Sequence, residues 1–281
     1  MVPHTKVSDD DFRQFRDYFH RETGIHFDSS KRYFVDKRLS ERVRETESIS
    51  AKAYLTRLAQ GGADIELQHL INAMTVNETY FLREEYQFKA LVESVLPEIV
   101  ARRSHRRPIR IWCVPSSTGE EPYSVALYLI ERWPALATWD VEILSSDIDT
   151  EVLERARIGR YSPRSVQHLP RAWLARHFTR CGDDYQLSHE VRDAVHFTRC
   201  NLAAPRETRA FRDIDVIFCR NLLIYFDDAS RRQAADALYD ALAPGGFVML
   251  GHSESMARMS SLFRARKFPQ AIVHQRPEDA A

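Results

Sequence analysis

The stretch "PIRIWCVPSSTGEEPYSVALYLIERW", Pro108 to Trp133, decides how the rest of the chain is read. Its apolar opening "PIRIWCV" reads as a strand and "EEPYSVALYLIERW" as a helix, with a turn at Gly119 between them. The same pairing recurs downstream. "DVEILSSD" (140–147) is a strand before the helix "DTEVLERARIG" (149–159). "DIDVIFC" (213–219) is a strand before the helix "DASRRQAADALYDAL" (228–242), and "GFVMLGH" (246–252) adds another strand. Such alternation predicts a doubly wound, Rossmann-like α/β sheet with helices on both faces. It lapses between Tyr161 and His196, where "YQLSHEVRDAVHF" predicts a small antiparallel β insertion over 162–196.

Upstream the period is helical. Phe12, Phe15 and Phe19 recur at spacings of three and four behind the cap candidate Ser8. Further helices are expected over Ser30–Arg44, from Ser50, and over "ADIELQHLINAMT" (63–75). The expected layout is an all-helical domain over 1–75 and the α/β domain over 76–281, with 76–107 as linker and first helix.

Composition narrows the class. The 281 residues carry 40 basic and 40 acidic side chains, and 44% are hydrophobic, which suits a globular protein with one large and one small domain. A balanced charge argues against a general nucleic-acid binder. No apolar run approaches the ~20 residues that span a bilayer, and "MVPHTKVSDDDF" lacks a signal-peptide pattern. Cys113, Cys181, Cys200 and Cys219 show no metal spacing, so reduced thiols in a cytoplasmic protein are expected, with no metal site.

In doubly wound sheets ligands sit beyond the carboxyl ends of the strands. After the first strand comes "VPSSTGEEPYS" (114–124), with neither G-x-G-x-x-G nor a Walker lysine. Gly119 lets the backbone approach a ligand, and Glu120 and Glu121 suit one bearing a cation or amino group; the plainer reading is a helix start whose acids meet the dipole. After the second strand, Asp147 stands where nucleotide binders place an acceptor for ribose hydroxyls, while Asp149 caps the next helix. After the third come Asn201 and Leu202, which would flank a base. After the fourth, Arg220 and Asn221 enter the cleft with Tyr225 nearby; alternatively Arg220 is satisfied by a structural acid such as Asp147 or Asp215. "NETYFLRE" (77–84) is either a lid bearing Asn77, Thr79 and Arg83 or an interdomain linker. His252 in "GHSES" reads as a structural residue at a strand end.

Taken together, "NETYFLR", "SSTGEEPYS", "SDIDTEVLERARIGRY" and "IFCRNLLIYF" resemble the chemotaxis receptor methyltransferases, the CheR family, over nearly the whole chain. The resemblance implies transfer of methyl from S-adenosylmethionine to glutamate side chains of chemoreceptors, leaving S-adenosylhomocysteine. It places Asn77, Thr79 and Arg83 over the cofactor, Glu121 on the methionine amino group, Asp147 on the ribose and Asn201–Leu202 around the adenine. Arg220, Asn221 and Tyr225 then line the acceptor pocket, with Arg83, Arg220 and Tyr225 as the catalytic set; a monomer is also implied. The chain departs from the family in having Leu82 where Phe is usual and Ser116 where Cys or Ala is usual.

The proposed acceptor is ionised at neutral pH, with a carboxyl pKa of about 4.3, so no general base is required. The work is positioning, and Arg220 or Arg83 would fork onto the second carboxylate oxygen. On the second helix Lys31, Arg38 and Arg42 fall within about 40° of one ridge. The segment 31–44 has six basic and two acidic residues. That face is either solvated or a docking surface for an acidic helical bundle of the receptor. A methyltransferase for another substrate and a sensor of S-adenosylmethionine without turnover are the competing classes. The compact turn "RCGDDYQ" (180–186), with Asp183 and Asp184 at its tip, predicts no capture of a receptor's C-terminal tether pentapeptide.

Overall fold

The structure, a computed structural model, describes residues 7–103 and 107–278. Helix α1 (Asp9–Thr23) starts at a capping box, with the Asp11 amide donating to Ser8 Oγ and the Ser8 amide to the Asp11 carboxylate. Its Phe15 and Phe19 are fully buried and pack with Phe27 at centroid distances of 6.1 and 5.7 Å. Helices α2 (Arg32–Glu45), α3 (Ala51–Ala59) and α4 (Asp64–Met74) complete the expected helical unit. Next comes one long helical run, α5 (Glu85–Ala90), a π turn at Leu91–Val95 and α6 (Leu96–Arg102).

The main sheet starts with β1 (Ile109–Cys113), α7 (Glu120–Arg132), β2 (Val141–Asp147) and α8 (Thr150–Ile158). The insertion holds β3 (Arg160–Tyr161), α9 (Pro163–Val166), α10 (Arg171–His177), β4 (Phe178–Cys181) and β5 (Asp184–Leu187). These three strands form an antiparallel sheet in the order β3-β5-β4. The chain returns through α11 (His189–Asp193), β6 (Val195–Arg199), α12 (Pro205–Thr208), β7 (Ile214–Cys219), α13 (Asp228–Ala241) and β8 (Leu242–Leu250). It ends in β9 (Arg264–Lys267) and β10 (Ile272–Gln275). The seven-stranded order is β6-β2-β1-β7-β8-β10-β9, parallel from β6 to β8, with β10 antiparallel to both of its neighbours.

Two boundaries differ from the sequence reading. The insertion begins at Arg160, and Val195–Arg199 belongs to the main sheet, in parallel register with Ile143–Asp147. "YQLSHEVRDAVHF" therefore contains a strand of each sheet, separated by the helical turn α11. The antiparallel edge β9–β10 was not anticipated, because the basic run "RARK" lacks an apolar period.

Strand alternation divides the core. Ile111, Cys113, Val216, Phe218, Phe247 and Met249 face α5–α7 and the insertion. Trp112, Ile217, Cys219, Val248 and Leu250 face α13 and the N-terminal helices, so the helical unit shares a continuous core with one face of the sheet. All four cysteines are free thiols, and only Cys181 is exposed.

Candidate active site

Chain order reverses between β1 and β7: the chain first runs outward through β2 and β6, then returns to the other side of β1. Cys113 pairs with Ser145 on β2 and with Phe218 on β7, so the carboxyl ends of all three strands open on one crevice.

Asp147 ends β2 there. Its carboxylate is buried and accepts the Ser117 amide at 2.8 Å and the Asp149 amide at 3.0 Å. Burial pushes its pKa up to about 6, against the pull of those amides. Asp149 caps α8 through the Glu151 and Val152 amides, as its sequence position predicts. Its second oxygen also accepts Thr75 Oγ1 at 2.6 Å and Asn77 Nδ2 at 2.8 Å. The first residue of the lid segment is thereby tied to the strand end beneath it.

Glu121, in the first turn of α7, is half-buried with Oε2 2.7 Å from Arg220 Nη1, while its buried Oε1 has no hydrogen-bond partner. Burial pushes its carboxyl up and the guanidinium pulls it down. Arg220 is held on three sides. Its Nη2 donates to the Arg83 carbonyl at 2.5 Å and lies 3.3 Å from Glu84 Oε2, and its carbon stands 5.5 Å over the Phe88 ring. With only 1% of its side chain exposed, Arg220 does not stand open to an incoming carboxylate as the sequence reading had it. Its partners are Glu121 and Glu84, whereas Asp215 pairs with Arg103 and Asp147 with backbone amides. The expense of burying Arg220 after an apolar strand is met by acids from two other segments, Glu84 and Glu121.

Gly119 has φ +94°, and a Cβ there would lie 2.9 Å from the Tyr123 ring and 3.0 Å from Ala156. The glycine thus lets the turn settle on the protein's own side chains. Glu120 is buried on Ser165 Oγ and Thr118 Oγ1 at 2.8 and 2.6 Å, fastening this turn to the insertion.

Residues 77–84, the segment expected as lid or linker, connect α4 to α5. Leu82 and Glu84 both take positive φ, 60° and 56°, fixed by the Leu82 amide donating to Ser124 Oγ at 2.9 Å and by the four partners of Glu84: Tyr86, Gln87, His252 and Arg220. Thr79 is half-buried along it. Arg83 is half-buried, donates Nη1 to the Glu78 carbonyl at 2.9 Å, and its charge bears on Glu121 and Tyr225. Burial raises the Tyr225 phenol, which keeps it a neutral donor.

An apolar cleft with a cavity volume of about 70 Å³ joins several of the expected residues. Asn77, Asp147, Asn201, Leu202, Asn221 and Tyr225 line it, with Ile25 and Phe27 from the helical unit as part of the wall. Thr79, Arg83, Gly119, Glu121 and Arg220 lie outside this lining. The Asn201 amide is already engaged, donating to the Glu22 carbonyl and accepting the Ala203 amide, so it joins α1 to the sheet. The His26 amide donates to the Tyr225 carbonyl at 2.9 Å, so the N-terminal helices also fix that tyrosine's main chain. Glu254 escaped the sequence reading: its carboxylate accepts the amides of Asn221, Leu223 and Gly251. An acid in "GHSES", just beyond a buried strand, was the available signal. His252 is exposed on that turn and bonds Glu84, which fits a structural role.

The basic ridge of α2 divides. Arg42 forks onto Glu66 at 3.0 and 2.6 Å with only 14% of its side chain exposed, and Arg38 donates to the Ala73 carbonyl at 2.5 Å while stacking on Phe34. Both hold α2 to α4, because their long stems reach across the helix contact. The exposed cations over residues 31–44 are Lys31, Lys37 and Arg44, and Tyr33 is 83% exposed. At the insertion, Asp184 is a β5 residue paired with Arg160 at 3.0 Å, so only Asp183 stands at the hairpin tip.

A crevice at the strand-order switch, a buried acid at the end of β2 and an apolar cleft beside it suit one class that the family match then establishes: an S-adenosylmethionine-dependent methyltransferase. Features of this chain suit the cofactor: the buried oxygens Glu121 Oε1 and Ser116 Oγ have no hydrogen-bond partner, and Asp147 lines the apolar cleft. The chain belongs to the CheR methyltransferase family: residues 10–75 match its all-alpha domain and residues 77–272 its SAM binding domain. It is 50% identical to chemotaxis protein methyltransferase 2 of Vibrio cholerae, over 96% of this chain and 94% of that one. It is 37% identical to chemotaxis protein methyltransferase 2 of Pseudomonas aeruginosa (91% and 90% covered) and 33% identical to the Escherichia coli chemotaxis protein methyltransferase (95% and 91%).

Proposed function

We propose that this methyltransferase esterifies glutamate side chains of chemoreceptors in chemosensory adaptation, acting in the cytoplasm on the receptors' helical bundle. The observation that carries the reading is the shared cleft: buried Asp147 and the neutral Tyr225 line one apolar space at the strand-order switch. Asp147 would hold the ribose, Glu121 the amino group, and Leu202 beside Asn201 the base, with Asn77, Thr79 and Arg83 closing from above. When bound, the cofactor supplies an electrophilic methyl group.

The remaining work falls to side chains. An ionised glutamate needs no base. Arg83, with one hydrogen bond to its own segment, and the Tyr225 hydroxyl orient the acceptor carboxylate, a neutral donor leaving the nucleophilic oxygen undiminished. Arg220 acts at one remove, holding Glu121 and the Arg83 main chain in place. The apolar wall of Val114, Leu202 and Phe226 excludes water. Lys31, Lys37 and Arg44 form the basic face that steers an acidic helix bundle.

Labelled S-adenosylmethionine incubated with receptor cytoplasmic fragments tests this directly. Base-labile label on glutamate is expected. Label appearing only on nucleic acid or small molecules, or none at all, would sink the reading.

A further inference from the structure

We propose that Glu254 is a positioning residue for methyl transfer, acting through the main chain of residues 221–225; this rests on the reading that Asn221 and Tyr225 line the acceptor pocket. Between β7 and α13 Phe226 is bridged to Ile25, whereas the amides of Asn221 and Leu223 lie beyond the strand pairing. Glu254, reaching back from the turn after β8, takes them instead. Oε2 accepts the Asn221 amide at 2.8 Å and the Gly251 amide at 2.9 Å, and Oε1 accepts the Leu223 amide at 2.8 Å. Under this carboxylate Asn221 adopts φ +58°, the left-handed region that asparagine enters more readily than other residues bearing a Cβ. The 3₁₀ turn Leu223–Tyr225 follows at once and sets where the phenol stands.

The joint needs a glycine beside it. A Cβ on Gly251 would lie 2.8 Å from Glu254 Oε2 and 2.9 Å from Asn221 Nδ2. The same turn grips the opposite wall, since His252 Nδ1 lies 3.1 Å from Glu84 Oε1, and Glu84 in turn contacts Arg220. Glu254 does not line the cleft, so its influence on the reaction passes through Asn221 and Tyr225.

Glu254→Gln in the full chain is the test, because a glutamine has one acceptor oxygen and sets an NH₂ against one of the three amides. Three results are expected together. The kcat for receptor methylation falls roughly 10- to 100-fold, as for a misplaced orienting group, while the cofactor KM stays within about twofold. Tyr225→Phe added to Glu254→Gln costs nothing further, whereas it slows the otherwise wild-type enzyme. Hydrogen exchange accelerates in peptides covering 221–226 and is unchanged at 109–113. Gly251→Ala, which crowds the joint and keeps the carboxylate, gives the same signature and serves if Glu254→Gln fails to fold. Wild-type kcat, additive losses with Tyr225→Phe, or unchanged exchange at 221–226 would each overturn the proposal. The exchange readout needs no acceptor, so it stands even if the wild-type protein fails to label glutamate, a result that would refute only the functional reading.

Discussion

Replacing Asp147 by asparagine should make the ligand-free protein more stable and the cofactor-bound protein weaker. Folding lifts this carboxyl from 3.8 to about 6, chiefly because burial disfavours the charge. The folded state therefore holds its proton over a pH range where the unfolded chain has lost it, and stability falls as pH rises between those two values. At 1.36 kcal/mol per pKa unit, the penalty above pH 6 is about 3 kcal/mol. Asparagine carries no charge to desolvate and keeps one acceptor oxygen, so it should recover part of that penalty and raise the neutral-pH unfolding midpoint. Binding moves the opposite way. Ribose hydroxyls donate more strongly to the ionised form than to the protonated one, so affinity is linked to loss of the proton. With a pKa near 6 the dissociation constant of S-adenosylhomocysteine should be nearly flat above pH 7 and about elevenfold weaker at pH 5, or ~1.4 kcal/mol. Asp147→Asn should lose roughly 1.5–3 kcal/mol of affinity, the worth of a hydrogen bond to a charged group, and abolish the pH dependence. Isothermal titration at pH 5, 6, 7 and 8, with thermal unfolding of both proteins, reads every arm. A wild-type affinity that does not change from pH 5 to 8, or a variant that keeps the acid-side weakening, would refute the argument.

Arg220→Met should destabilise the fold by about 3–5 kcal/mol, because Glu121 is left as an uncompensated buried charge; denaturant titration showing a loss under 1 kcal/mol would mean that Glu121 finds another partner. Lys31, Lys37 and Arg44 changed together to Glu should slow receptor methylation and flatten its salt dependence without altering cofactor affinity, whereas Arg42→Glu should lower the unfolding midpoint by breaking its pair with Glu66. An unchanged salt slope in the triple variant would move the docking face elsewhere. Calorimetric titration with receptor C-terminal pentapeptides should give no heat of binding, since Asp183 stands at the tip of the hairpin beside the edge strand β4; a micromolar isotherm lost on deleting that tip would overturn this.

Much of this molecule was legible in one dimension. Strand and helix periods are local, so the helical unit, the doubly wound sheet and the caps at Ser8 and Asp149 followed from spacing alone. Strand ends carry ligands in such sheets, and the place of Asp147 after "EILSS" puts it at the end of β2, as the structure has it. Sequence did not decide which charges stay free. Arg38, Arg42 and Lys31 share a ridge on α2, yet the first two turn to Ala73 and Glu66 on α4, a contact between helices distant in the chain. Arg220 likewise reads as a substrate fork until Glu84 and Glu121, from two other segments, are seen to enclose it. Glu254 is one more acid in a loop until the chain brings it under three amides from 221 to 251. Local patterning determines which residues form elements and where the cleft opens. Partners for buried charge come from remote segments, and a guanidinium or carboxylate in low dielectric must find them, so only the tertiary structure settled who holds whom.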